Sequence, residues 1–140
     1  IDRPTIPHLK NRIDQLITNG SAIVMSMDIS SEEYALYREL TTDSGRNKVI
    51  GSGEAASISL AKKHNGILGS NNLRDVRYYI NKYSLKYVTT GDILVEAFQK
   101  GLITEQEGNT IWVSMLKKRR KIGANSFTEF LQRSKLDSSK

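Results

Sequence analysis

The run from Gly53 to Asp75 constrains the fold more than any other part of this chain, because it joins a helix, a strand and a polar turn. Glu54 opens an amphipathic helix that is predicted to end near residues 64–66, where Gly66 suits the left-handed position just past a helix end. The apolar positions of this helix are Ala55, Ala56, Ile58, Leu60 and Ala61.

A short apolar strand, Ile67-Leu68-Gly69, follows the helix and stops in Ser70-Asn71-Asn72. These polar residues favour a turn and cap a further helix, which is predicted to begin at Leu73. In open α/β sheets, ligands bind in the crevice outside the carboxyl ends of the strands. We therefore expect the chemistry at this polar strand tip, with Glu54 and Asp75 facing one another.

The order and spacing of these residues resemble the second half of a PIN domain, the metal-dependent ribonuclease fold of many toxin–antitoxin toxins. In that family an acid opens a helix of the form D/E-x-x-I-A-x-A, and the following strand ends in T-N/R-D/N-x-x-D/E-F. Glu54 matches the helix acid, Asn72 the strand-tip position and Asp75 the last acid. Further on, YVTTGDIL and KGLI resemble the T-x-G-x-L-L and K-x-G-L-I of a PIN subgroup of predicted nucleases, so the resemblance covers residues 22–103.

The resemblance implies an α/β fold, a PIN-like three-layer sandwich with a short parallel sheet flanked by helices and further helices appended at the C-terminus. We expect one such domain over residues 1–134 and a polar tail over 135–140. The family's first strand, which ends in an aspartate, is not recognisable here, and the chain begins with Ile1. That strand is therefore expected upstream, with a partner chain or a swapped segment covering the exposed strand flank.

Hydrolysis of a phosphodiester by this family requires Mg²⁺ or Mn²⁺, and hard cations of this kind bind several oxygen ligands. The resemblance implies that Glu54 and Asp75 are catalytic metal ligands, that Asn72 is catalytic, and that Ser70 and Asn71 contact the nucleic acid. Two carboxylates are fewer than PIN enzymes gather, so we expect this chain to be a weak or inactive nuclease. Without the resemblance, both acids are ordinary first-turn residues stabilised by a helix dipole.

Five consecutive cations at residues 117–121 form the second candidate site. They would neutralise several phosphates and give a salt-dependent affinity that is independent of sequence. A net charge of +6 and a pI near 9.6 also favour a polyanionic partner. The competing interpretation is a solvated helix end, because cations are favoured there and five in a row point around more than one turn. The residues are Lys117, Lys118, Arg119, Arg120 and Lys121.

The other elements alternate between helices and strands, which predicts a parallel sheet with right-handed crossovers. Trp112 is expected in the core or in a dimer contact, and the apolar side chains after Ser126 are expected to dock the last helix. The predicted elements are a helix up to Gly20, a strand over Ala22–Met27, a helix opened by Ser30 and Glu33, a polar loop over 41–53, a strand over 86–89, and helices alone after Thr90, with capping boxes at Thr104/Glu107 and Ser126/Glu129.

Composition narrows the class of protein further. The sequence has no apolar run near the roughly 20 residues that cross a bilayer, and no cysteine for disulfides or thiolate metal sites. We expect a cytoplasmic protein that is not associated with a membrane.

The leading hypothesis is a metal-dependent endoribonuclease of the toxin type, acting on RNA, with an antitoxin protein and a second copy of the chain as candidate partners. The alternative is a degenerate PIN scaffold that binds RNA or a partner protein without cleaving it. A response-regulator-like α/β module is a third interpretation, but the expected acid pair and the later lysine are missing.

Overall fold

The computed structural model describes residues 7–45, 48–118, 120 and 122–138 of this chain. Over these residues the fold is α/β and mostly helical, with seven helices and one two-stranded parallel sheet. The chain divides into two compact units, Ile1–Ser59 and Leu60–Lys140. The elements are α1 (Pro7–Thr18), α2 (Glu32–Thr41), α3 (Ser52–His64), β1 (Ile67–Gly69), α4 (Leu73–Lys82), β2 (Lys86–Val88), α5 (Thr90–Gln99), α6 (Glu105–Lys117) and α7 (Phe127–Ser138).

The first unit confirms the two predicted N-terminal helices, with the cap of α2 displaced by one residue. Ser31, not Ser30, is the N-cap, and its hydroxyl accepts a hydrogen bond from the Tyr34 amide at 3.2 Å. The amide and hydroxyl of Ser30 donate instead to the carboxylate of Asp28. These hydrogen bonds, that of the hydroxyl first, hold the pKa of Asp28 below its ordinary value.

The predicted strand over Ala22–Met27 was wrong. Residues 23–28 form no regular element, and Ile23 and Val24 are both 75% exposed. A strand is stabilised by hydrogen bonds to a neighbouring strand, and the sheet of the described residues contains β1 and β2 alone. Residues 22–27 therefore have the composition of a strand, but no other strand among the described residues pairs with them.

In the second unit, β1 and β2 confirm the predicted strands almost residue for residue. They pair in parallel, with Ile67 opposite Lys86 and Gly69 opposite Val88, and α4 is the connection between them. Leu68 is buried at the centre of β1. The sheet positions two helix starts, because α4 follows β1 and α5 follows β2 at the same edge.

The end of α3 differs from the predicted cap. Asn65 occupies the left-handed conformation with a φ of 49°, whereas Gly66 does not. The Gly66 amide donates to the carbonyl of Ala61 at 2.9 Å and so closes the helix end. Asparagine tolerates this conformation better than most residues, which explains why the glycine is not needed for it.

The C-terminal helices pack around Trp112, which lies in the core, one of the two places predicted for it. Trp112 and Phe127 are fully buried, and Leu131 and Ile122 are each 6% exposed. The indole nitrogen of Trp112 donates to the Ala124 carbonyl at 2.9 Å. This bond ties the segment after α6 to the core of the unit.

Capping follows the predicted pattern at α6 and departs from it at α7. Thr104 and Glu107 form the complete capping box. At α7, Ser126 accepts from the Glu129 amide at 3.1 Å, but the Glu129 carboxylate accepts from the Asn125 amide. Helix α7 continues to Ser138, past residue 135, where the polar tail was predicted to start. The assignment of residues 1–134 to one domain stays a prediction.

We predict that Gly108→Ala destabilises the second unit. A Cβ at Gly108 would overlap the ring of the fully buried Phe127. Overpacking of this kind costs about 1–3 kcal/mol of the free energy of unfolding, more than the helix propensity gained. Urea unfolding followed by the fluorescence of Trp112 measures the change.

The matched control is Gly69→Ala, because a Cβ at Gly69 meets nothing within 4 Å. Its free energy of unfolding should change by less than about 1 kcal/mol. Equal stability of the two variants would contradict the packing argument.

Candidate functional site

The candidate site lies at the carboxyl ends of β1 and β2. Because these strands are parallel, both end at the same edge of the sheet. The Ser70 amide donates to the Val88 carbonyl at 3.0 Å, which extends the ladder by one residue beyond β1. The polar residues after β1 therefore lie beside Thr89 and Thr90, which follow β2.

Asn71 bridges the two strand ends. Its side-chain amide donates to the Thr90 hydroxyl at 2.8 Å, and its carbonyl oxygen accepts from the Thr90 amide at 2.9 Å. The sequence identified Asn71 as a turn residue and a nucleic-acid contact, but not as this bridge. No local pattern reveals the bridge, because the two residues are 19 positions apart.

Asn72 and Asp75, two of the residues predicted for the site, are in direct contact. Asn72 is the N-cap of α4 but makes no capping bond with its side chain. Its amide group donates to a carboxylate oxygen of Asp75 at 2.8 Å, and its backbone amide donates to the Ser70 hydroxyl at 3.1 Å. The other Asp75 oxygen lies 3.4 Å from Nε of Arg74. A positive helix end, an amide and a guanidinium therefore surround this carboxylate.

Asp92 is a further carboxylate at this edge, and it was not among the site residues expected from the sequence. It lies in the first turn of α5, where its oxygen accepts from the amide and the hydroxyl of Thr89 at 2.8 and 2.7 Å. Thr89 in turn accepts from the Asp92 amide at 3.2 Å. The Thr-x-x-Asp spacing was the available signal, since it is the spacing of a capping box.

Glu54 lies in the first turn of α3, within the first unit, whereas Asn72 and Asp75 belong to the second. Its carboxylate folds back over Gly51, where an added Cβ would overlap it. A metal site shared by Glu54 and Asp75 stays a prediction. Within the described ranges, no group of three Asp, Glu, His or Cys side chains is arranged to hold a metal ion.

A surface pocket of about 480 Å³ joins the strand tip to the basic segment after α6, and we call it the strand-tip pocket. Asn71, Lys118 and Arg120 all line it. Among the described residues that line this pocket there is no carboxylate, so its charge is positive. The remaining lining residues are Thr110, Ile111, Ser114 and Met115.

The five predicted cations do not all share the strand-tip pocket. Lys117 lines a different pocket, together with the acidic Glu105. Arg119 and Lys121 lie outside the described residues. Lys118 and Arg120 are thus the two cations of the basic run that the structure places beside the strand tip.

Comparison of the chain with protein-family models, with curated proteins and with solved structures gave no match in any of the three. In the described part of the chain, none of the helices combines the length and apolar character needed to cross a membrane.

We predict that Asn71→Ala destabilises the strand tip. The substitution removes both hydrogen bonds to Thr90, and at an exposed position we expect a decrease of about 1 kcal/mol in the free energy of unfolding. Urea denaturation measures the change. Asn81→Ala is the control, since Asn81 lies exposed on α4 and alanine is favoured in helices. An Asn71→Ala variant as stable as Asn81→Ala would contradict the bridge.

Proposed function

We propose that this chain is a PIN-like RNA-binding domain whose contact with RNA is the strand-tip pocket. The observation that carries the proposal is the meeting of Asn71 with Lys118 and Arg120 in one positive pocket. Cations neutralise backbone phosphates, and an amide offers both a donor and an acceptor to a sugar or a base edge. The hydroxyls of Thr110 and Ser114 add further hydrogen-bonding groups.

A PIN-like architecture is part of this proposal, and the unit β1–α4–β2 supports it. Both strands end in polar turns that lead into helices with an acid in the first turn. This is the arrangement that the resemblance implies around Asn72 and Asp75. The three-layer sandwich and the further strand of the family belong to the same proposal.

Metal-dependent endoribonuclease activity of the toxin type is the second proposal, and the pair formed by Asn72 and Asp75 favours it. Their oxygens, with Glu54, are hard ligands that suit Mg²⁺ or Mn²⁺. When bound, such an ion would supply a Lewis acid and an activated water. Two carboxylates and an amide give little negative charge, so we propose that RNA binding exceeds cleavage in this chain.

A partner chain is proposed to cover the sheet. Ile67 is 65% exposed on β1, and Tyr87 is 46% exposed on β2. Exposed apolar side chains on short strands favour association. An antitoxin protein and a second copy of this chain are the two candidates, and a dimer in sedimentation equilibrium of the isolated chain would support the second copy.

We predict that Lys118→Gln/Arg120→Gln weakens RNA binding by removing phosphate contacts. In a fluorescence anisotropy titration, the slope of log affinity against log salt should fall in magnitude by about 0.7 for each phosphate that is no longer neutralised. Lys100→Gln is the control, because Lys100 is an exposed lysine that pairs with Glu96 on α5. Equal binding by the double variant and the control would refute the strand-tip pocket as the RNA contact.

We predict that cleavage of the same RNA is weak or absent in Mg²⁺ and in Mn²⁺, and that EDTA leaves binding unchanged. Glu54→Gln and Asp75→Asn should each leave RNA affinity close to that of the unaltered chain, since neither residue lines the pocket. Cleavage is measured as product formation on a denaturing gel, and affinity by the same anisotropy titration. Robust cleavage that Glu54→Gln abolishes would establish the nuclease instead of the non-cleaving scaffold.

A further inference from the structure

A second surface of the same unit combines lysines and tyrosines, none of which lines the strand-tip pocket. It consists of Lys62 on α3, Tyr78 and Lys82 on α4, and Tyr83 just after α4, and we call it the lysine–tyrosine surface. The Lys82 ammonium lies 5.4 Å from the ring centre of Tyr83 and 5.9 Å from that of Tyr78. The Lys62 ammonium lies 5.3 Å from the ring centre of Tyr83. These are cation–π distances, so the rings hold the ammonium groups close together at the surface.

The two tyrosine rings of this surface pack against a third, buried tyrosine ring. Tyr79 is fully buried, meets Tyr78 edge-on with ring centres 5.1 Å apart, and stacks with Tyr83 at 6.2 Å. Tyr78 nevertheless remains 58% exposed. A tyrosine side chain that is held in place yet exposed offers contact area at a low cost in conformational entropy.

The charge of this region is one-sided. Residues 60–91 contain six Lys and Arg residues and one acid, a net charge of +5 within a chain of net charge +6. The one acid is Asp75, which lies at the strand tip and is already engaged by Asn72 and Arg74. The four side chains that define the lysine–tyrosine surface include two cations and no carboxylate, a composition that suits a polyanion.

We propose that the lysine–tyrosine surface is a second RNA contact, in which Lys62 and Lys82 bind phosphates and a base stacks on Tyr78. Cations interleaved with exposed aromatic rings are the combination by which proteins hold nucleic-acid strands. An acidic protein would satisfy the lysines but would make no particular use of a planar ring. The contact is additional to the strand-tip pocket and rests on the proposed function only for the nature of the ligand.

The test is anisotropy with a labelled oligouridine RNA, compared across four variants. Lys62→Gln/Lys82→Gln should reduce the salt slope by about 0.7 for each phosphate contact. Tyr78→Ala should weaken binding about tenfold, which is the usual effect of removing a stacking platform. Tyr78→Phe should bind like the unaltered chain, because it keeps the ring, and Lys100→Gln is the control for the loss of one exposed lysine elsewhere on the unit. Trp112 fluorescence confirms that each variant is folded.

Three outcomes would overturn the inference, and the first of them leaves the proposed function standing. If these variants bind normally while Lys118→Gln/Arg120→Gln binds weakly, the second contact is wrong and the strand-tip pocket stands. If polyglutamate binds as tightly as the RNA and Tyr78→Ala has no effect, the ligand is an acidic protein. Absence of RNA binding by the unaltered chain would overturn both proposals. Weakening by the lysine–tyrosine variants alone would support the inference and refute the pocket.

Discussion

The hydrogen-bonded bridge between Asn71 and Thr90 is the interaction on which the candidate site depends. Each strand of the sheet has only three residues, and so short a parallel pair is marginally stable by itself. The bridge adds two hydrogen bonds just beyond the ladder, at 2.8 and 2.9 Å. It therefore sets the spacing between the starts of α4 and α5, and with it the positions of Asp75 and Asp92.

The aromatic core of the C-terminal helices holds α6, which contributes most of the residues that line the strand-tip pocket. Trp112 is buried against Phe127 and Phe130, with ring centres 6.1 and 5.2 Å apart. Gly91 and Gly108 permit this close packing, because a Cβ at either would overlap a phenylalanine ring. Since α6 is held in this way, Lys118 at its C-cap and Arg120 just beyond it are presented beside the strand tip. Two cations of the basic run, Lys118 and Arg120, therefore line a pocket, whereas the competing interpretation placed the whole run at a solvated helix end.

Local patterns predicted the local features of this chain and failed where a distant partner decides the structure. The strand over 67–69 was found because an apolar run lies between a helix end and a polar turn, and its neighbour over 86–88 follows the same logic. Residues 22–27 carry an equally apolar pattern but have no strand to pair with among the described residues, which no local pattern reveals. The displaced cap at Ser31 and the left-handed Asn65 arise because neighbouring residues compete for the same role.

In the candidate site, too, the local features were predictable from the sequence and the contacts between distant residues were not. The neighbours Asn72 and Asp75 lie three positions apart in sequence and were identified together. The bridge from Asn71 to Thr90, and the meeting of Asn71 with Lys118, depend on tertiary packing and were not foreseen.

Binding and cleavage make different demands on the electrostatics of this chain. The carboxylates at the strand tip accept hydrogen bonds from nearby donors, Asp75 from Asn72 and Asp92 from Thr89. A divalent ion would have to compete with these donors, and each carboxylate would lose part of its present stabilisation on binding it. The cations beside the strand tip meet no such competition for phosphate, because no carboxylate is among the described residues of their pocket. These differences favour the proposal that the chain binds a phosphate backbone without hydrolysing it, and they require that affinity and cleavage be measured separately.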